Sequence, residues 1–162
     1  MSRILALLFG IIGAVGASQA PEFSQQYRQG LANRADQLTM TVERFDDDAR
    51  DAEMSRDEML GACLADERVP GQPSCKRRGE DVADYEHATR QLAEFEAASM
   101  WTRPIVVARD PHRRTLEVTA RNYEPAVPAT PAGAAYAAAG FALLWGIAAM
   151  LFGMLGRLFG RY

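Results

Sequence analysis

The 162 residues carry a formal net charge of −3, but no Asp or Glu precedes Glu22 or follows Glu124. The middle holds all 21 acidic residues against 15 of the 18 basic ones, a balance of −6, and only arginines (Arg3, Arg157, Arg161) are charged outside it. An acidic middle of about 110 residues argues against a nucleic-acid partner or an anionic lipid surface, and fits one small domain better than a large enzyme fold.

Arg3 is followed by an apolar run from Ile4 to Ala17. Two readings remain open for it. As a helix, Ser2 to Ala20 would extend about 28 Å, close to a hydrocarbon core of about 30 Å, so the segment can be a first membrane span (residues 2–20). As a secretory signal it would be cut after Val15-Gly16-Ala17, leaving a mature single-span chain that begins near Ser18. Phe23, Tyr27 and Leu31 continue a four-residue spacing beyond the run, which favours a retained span flowing into a long helix.

From Pro21 to about Ala52 the apolar residues Leu31, Ala35, Leu38, Val42, Phe45 and Ala49 alternate steps of four and three, the pattern of a one-sided helix. Pro21 either begins this helix or interrupts one continuous with the span. Asp46, Asp47, Asp48, Asp51 and Glu53 lack the alternation and turn glycine of a calcium loop, so they read as a solvated face. Ser55 and Glu58 form a capping box for a short second helix ending near Ala65.

Cys63 and Cys75, the only cysteines, flank a stretch with Pro70, Gly71 and Pro73. An even cysteine count in a small domain favours a disulfide in an oxidising compartment, worth about 3 kcal/mol for such a loop. A zinc site from Cys63, Cys75, His87 and His112 lacks the close ligand pairs of common structural sites.

A third helix is expected from about Lys76 to Met100, with Val82, Tyr85, Thr89, Leu92 and Phe95 on one side, closing as an antiparallel pair with the first. Ile105 to Ala108 reads as extended chain or buried loop. A fourth helix opens after Asp110 and Pro111 and runs to about Tyr123, where Pro125 and Pro128 end it.

Thr130 and Pro131 then start about 25 apolar residues, a second span (131–157). Small residues in both spans permit close helix approach, and Gly10 and Gly13 in the first, with the Gly156–Gly160 GxxxG pair in the second, are the candidate packing positions. Neither Ile4–Ala20 nor Ala132–Leu155 contains an Asp, Glu, Lys, Arg or His, which argues against a transporter or channel. Arginine at both ends places both termini in the cytoplasm by the positive-inside rule, and residues 21–130 in the periplasm of a Gram-negative inner membrane. The expected fold is therefore all-α: a membrane hairpin of two spans bracketing a periplasmic helical bundle built around a coiled-coil-like antiparallel pair.

Motifs for chemistry are sparse. Glu80, Asp84 and His87 share a helical face and offer the alternative of a periplasmic metal-binding protein or enzyme, but the second Glu-x-x-His of a di-iron bundle is missing. His112 has no obvious nucleophile or carboxylate partner, and no catalytic residue, cofactor or resident metal is proposed.

The layout of a short apolar start with arginine, the stretch Pro21-Glu22-Phe23-Ser24-Gln25-Gln26-Tyr27-Arg28-Gln29, and Tyr123-Glu124-Pro125-Ala126-Val127-Pro128 before a terminal span resembles a family of uncharacterised proteobacterial membrane proteins, a domain of unknown function. The resemblance implies a two-span inner-membrane protein and carries no catalytic residues. With lipid around the spans, the expected role is structural: an accessory or scaffolding protein that packs against another membrane complex or itself.

Overall fold

A computed structural model describes residues 2–65, 72–127 and 129–159. Six helices follow in order: α1 Ser2–Asp51, α2 Arg56–Ala65, α3 Gln72–Ala97, α4 Arg103–Arg109, α5 Arg113–Arg121 and α6 Pro131–Phe159. The chain is all-α, as expected, and no strand occurs among the described residues.

α1 and α6 each contain a stretch long and apolar enough to cross a membrane, with mean hydropathies of 1.8 and 2.0. They pack antiparallel: Phe9 meets Phe152 with ring centroids 6.3 Å apart, and Gln19 meets Ala126 in the segment before α6. At the crossing, a Cβ added to Gly13 would overlap the Gly140 carbonyl, and one added to Gly140 would overlap that of Gly13. Only glycine at both positions lets the two backbones come this close.

Pro21 neither starts a helix nor ends one, since α1 runs through it for 50 residues. Proline lacks the N–H that the carbonyl of Ala17 would accept. Continuity is supported by packing, because the Ala17 side chain lies against Gly140 and Pro21 is itself buried. Two flanking hydroxyls bond within the helix, Ser18 to the Val15 carbonyl at 2.8 Å and Ser24 to the Pro21 carbonyl at 2.7 Å, so both are buried without cost to solvation.

Beyond Pro21, α1 pairs antiparallel with α3. The whole expected stripe Leu31, Ala35, Leu38, Val42, Phe45 and Ala49 is buried. Four of its residues fall in two clusters: Leu31 and Ala35, beside Tyr27, with Ala88, Phe95 and Val107, then Val42 and Phe45 with Val82 and the flanking Met59, Leu60 and Tyr85. On α3 the buried line is Val82, Ala88, Gln91 and Phe95, so it includes a glutamine that the apolar spacing passes over.

α1 ends in a turn that its sequence disguises. Met54 N–H reaches the Ala49 carbonyl at 2.9 Å and Glu53 N–H reaches Arg50 at 3.0 Å, while Glu53 adopts φ 56°. This is a Schellman closure with glutamate in the left-handed position normally held by glycine. The capping box at α2 forms as expected: Glu58 accepts from Ser55 N–H at 2.8 Å, and Ser55 Oγ accepts from Glu58 N–H at 3.3 Å.

Three element expectations need correction. α3 begins at Gln72 rather than Lys76 and stops at Ala97, with Pro73 in the first turn, where its missing N–H costs nothing. Residues 105–108 belong to a helix, α4, which Pro104 opens; burial of Val107 outweighs the β-branched run's preference for extended backbone. The next helix starts at Arg113, two residues after Pro111, and ends at Arg121.

Candidate functional site

The polar residues of the bundle converge where α1, α3 and α5 meet. Tyr27 is fully buried, its hydroxyl donating to Gln91 Oε1 at 2.6 Å and accepting from His112 N–H at 2.7 Å. Gln91 in turn donates through Nε2 to the Asp110 carbonyl at 2.6 Å. Burial pushes the Tyr27 phenol up to about 12, so the hydroxyl keeps its proton throughout the neutral range.

His112 is the N-cap of α5. Its Nδ1 accepts from Thr115 N–H at 3.3 Å and lies 2.8 Å from Thr115 Oγ1, while Nε2 pairs with Asp84 Oδ1. A nitrogen that accepts a backbone N–H leaves the imidazole proton on Nε2, facing the carboxylate. The other Asp84 oxygen accepts from Arg34 Nε at 2.7 Å and pairs with a terminal guanidinium nitrogen. Burial pushes the Asp84 carboxyl up, but the hydrogen bonds from Arg34 and His112 outweigh it and hold the group below its ordinary range. The expectation that His112 lacks a carboxylate partner is therefore corrected: the partner stands 28 residues away in sequence.

Asp84, His112 and Thr115 follow the acid–imidazole–hydroxyl order of hydrolytic triads. Here they sit in a packed interior. Thr115 is buried at 5% exposure, its methyl would meet any Cβ on Gly30, and the imidazole nitrogen facing its hydroxyl already caps its N–H. Both imidazole nitrogens, both Asp84 oxygens and both polar atoms of the Gln91 side chain are engaged. This is a lock joining three helices.

His87 packs edge-on to His112 with ring centroids 5.1 Å apart. Its buried Nε2 lies 3.3 Å from Asp110 Oδ2 but out of line for a hydrogen bond. Glu80, the third member of the proposed metal trio, is exposed, and Asp84 turns to Arg34 and His112 instead. Among the described residues no three His, Cys, Asp or Glu side chains group as a metal site. Cys63 and Cys75 are bonded to each other, with Cα atoms 5.9 Å apart, so they do not form the zinc quartet with His87 and His112.

A second polar tie closes the far end of the bundle. Arg56 at the start of α2 grips Asp46 through two hydrogen bonds of 2.6 Å and reaches Glu86 on α3 at 2.9 Å. The paired guanidinium lowers the Asp46 carboxyl. Of the candidate packing glycines, Gly10 faces Phe141, whose ring a Cβ would approach to 2.7 Å, and Gly13 lies at the crossing with Gly140. Among the described residues a Cβ on Gly156 would meet nothing within 4 Å, and Gly160 lies outside them.

The two stretches that carry the family resemblance touch. Phe23 stacks at a tilt on Tyr123 with centroids 5.4 Å apart, and Gln26 donates to the Glu124 carbonyl at 2.9 Å. Just before them, Gln19 accepts from Tyr123 OH at 2.8 Å and from Ala126 N–H at 3.2 Å. The segment between α5 and α6 is thus strapped along α1. A family model described as "Protein of unknown function (DUF2937)" matches residues 1–161. The chain belongs to that family. No curated protein and no solved structure matches it.

Proposed function

We propose that this protein is a two-span inner-membrane protein with both termini in the cytoplasm and residues 21–130 in the periplasm, serving as a scaffold or accessory component that packs against another membrane complex or a second copy. The observation that carries this reading is the outward face of the hairpin. Ile4, Ile12, Val15, Leu143 and Met150 are each 60–66% exposed on helices long enough to span, and apolar surface of that extent needs lipid or a partner helix around it.

The disulfide supports an oxidising compartment for the bundle. Retention of the first span is favoured because Ser18, beside the candidate cleavage point, is buried inside an unbroken helix whose preceding turns face α6. The saturated polar lock supports a structural role over a chemical one. The test is membrane fractionation with cross-linking of the intact protein in mild detergent. The expected results are resistance to carbonate extraction, thiol labelling of Cys63 and Cys75 in spheroplasts only after reduction, and a defined cross-linked species. Release by carbonate would end the membrane reading, and a monomer that cross-links to nothing would end the scaffold reading.

A further inference from the structure

The connection from α3 to α4 departs from the acidic character of the rest of the bundle. Between Glu96 and Asp110 there is no acidic residue, and Arg103 and Arg109 are the only charges. Three large apolar side chains stand out from this elbow, with Met100, Trp101 and Ile105 each 45–48% exposed. Its backbone is closed on itself, the Ser99 carbonyl accepting from both Thr102 N–H at 3.0 Å and Arg103 N–H at 3.2 Å. The exposed apolar groups are therefore held on an ordered turn.

The height of that turn is set by α6. Tyr136 OH donates to the Trp101 carbonyl at 2.8 Å. Tyr136 lies about seven residues, or roughly 11 Å, from the middle of the uncharged run Ala132–Leu155, within the half-thickness of about 15 Å of a hydrocarbon core. A tyrosine hydroxyl reaches several ångströms outward from there, which places Trp101 at the boundary between acyl chains and headgroups. Beside the elbow, an apolar recess of about 350 Å3 lined by Gly16, Ala20, Phe23, Pro104, Val107 and Tyr123 continues this surface onto α1.

We propose that the elbow is an interfacial anchor: Met100, Trp101 and Ile105 seat in the headgroup–acyl boundary of the bilayer that α1 and α6 cross. The proposal rests on the two-span reading above and adds a third contact with the same membrane. A tryptophan with two aliphatic neighbours and an adjacent arginine has the composition that interfacial segments use, an apolar face sinking about 5–10 Å with cations above it. Lipid fits better than a partner protein because the elbow is hydrogen-bonded to a span at this depth.

Trp101 and Trp145 are the two tryptophans, which makes depth measurable. Full-length Trp145→Phe protein, reconstituted in phosphatidylcholine–phosphatidylglycerol vesicles, reports Trp101 alone. A nitroxide near the headgroup should quench it about twofold more than one deep in the acyl chain, with iodide quenching well below that of free tryptophan. Quenching by iodide as in water, or shielding from both iodide and lipid labels, overturns the anchor. In the companion Trp101→Phe protein, deep labels should quench Trp145. If they do while Trp101 stays unquenched, the elbow proposal alone fails; if Trp145 is also unquenched by lipid, the membrane reading falls with it.

Discussion

The two halves of α1 bind their neighbours by opposite means. Before Pro21 the helix crosses α6 glycine on glycine, with Phe9 meeting Phe152 further along, and presents most of its large apolar groups outward. Beyond Pro21 it buries an unbroken apolar stripe and adds hydrogen-bonded charges at its margin. In water, burial drives association and large side chains strengthen it. In lipid that driving force is missing, and close backbone approach takes over. In the membrane arrangement proposed above, one continuous helix follows two packing rules, and substitutions of similar size should have different effects on either side of Pro21.

The largest effect is expected in the bundle. Phe95 is fully buried against Tyr27, with ring centroids 6.0 Å apart. Phe95→Ala should destabilise the protein by about 4 kcal/mol, read from urea unfolding followed by circular dichroism in detergent. In the spans, Gly13→Val should cost about 3 kcal/mol, because the obstacle is the Gly140 backbone and not a movable side chain. Its readout is loss of a cross-link between cysteines introduced at the ends of the two helices. Gly156→Ala, which meets nothing within 4 Å, should stay within about 0.5 kcal/mol. Equal effects at Gly13 and Gly156 would remove the distinction between the crossing and the rest of the hairpin.

Asp84→Asn should cost about 2 kcal/mol by weakening the pairing with Arg34 and His112. It should also change the response to acid. The Asp84 carboxyl lies below its unfolded value of about 3.9, so its contribution is complete above that value and is lost as pH falls through the lower folded one. Unfolding of the Asn variant should therefore show a flatter acid limb below about pH 4. One substitution should be a gain: Glu53→Gly should stabilise by about 0.5–1 kcal/mol, because glycine adopts φ 56° without a Cβ penalty.

Period and composition made the stripe on α1, the two apolar helices and the capping box at Ser55 legible in the sequence, since each is a local pattern. What escaped is long-range or exceptional. The pairing of His112 with Asp84 joins two helices 28 residues apart, and no spacing rule links them. Gln91 falls outside the apolar spacing of α3, and its burial is accounted for by the Tyr27 hydroxyl and the Asp110 carbonyl across the interface. α4 was hidden by the three β-branched residues Ile105, Val106 and Val107 after a proline, where tertiary burial outweighs local preference. The α1 terminus carried no glycine to mark it.

The passage of α1 through Pro21 has a mechanical consequence. The 31 residues from Pro21 to Asp51 extend about 46 Å from the proline, as one piece with the segment that packs on α6. In the membrane arrangement proposed above, a change of about 10° in the tilt of the first span would swing the α2 end of the bundle sideways by roughly 8 Å. The helix would then act as a lever, turning a small change in bilayer thickness or in a neighbouring span into a displacement at the tip where Arg56 and the disulfide gather α1, α2 and α3.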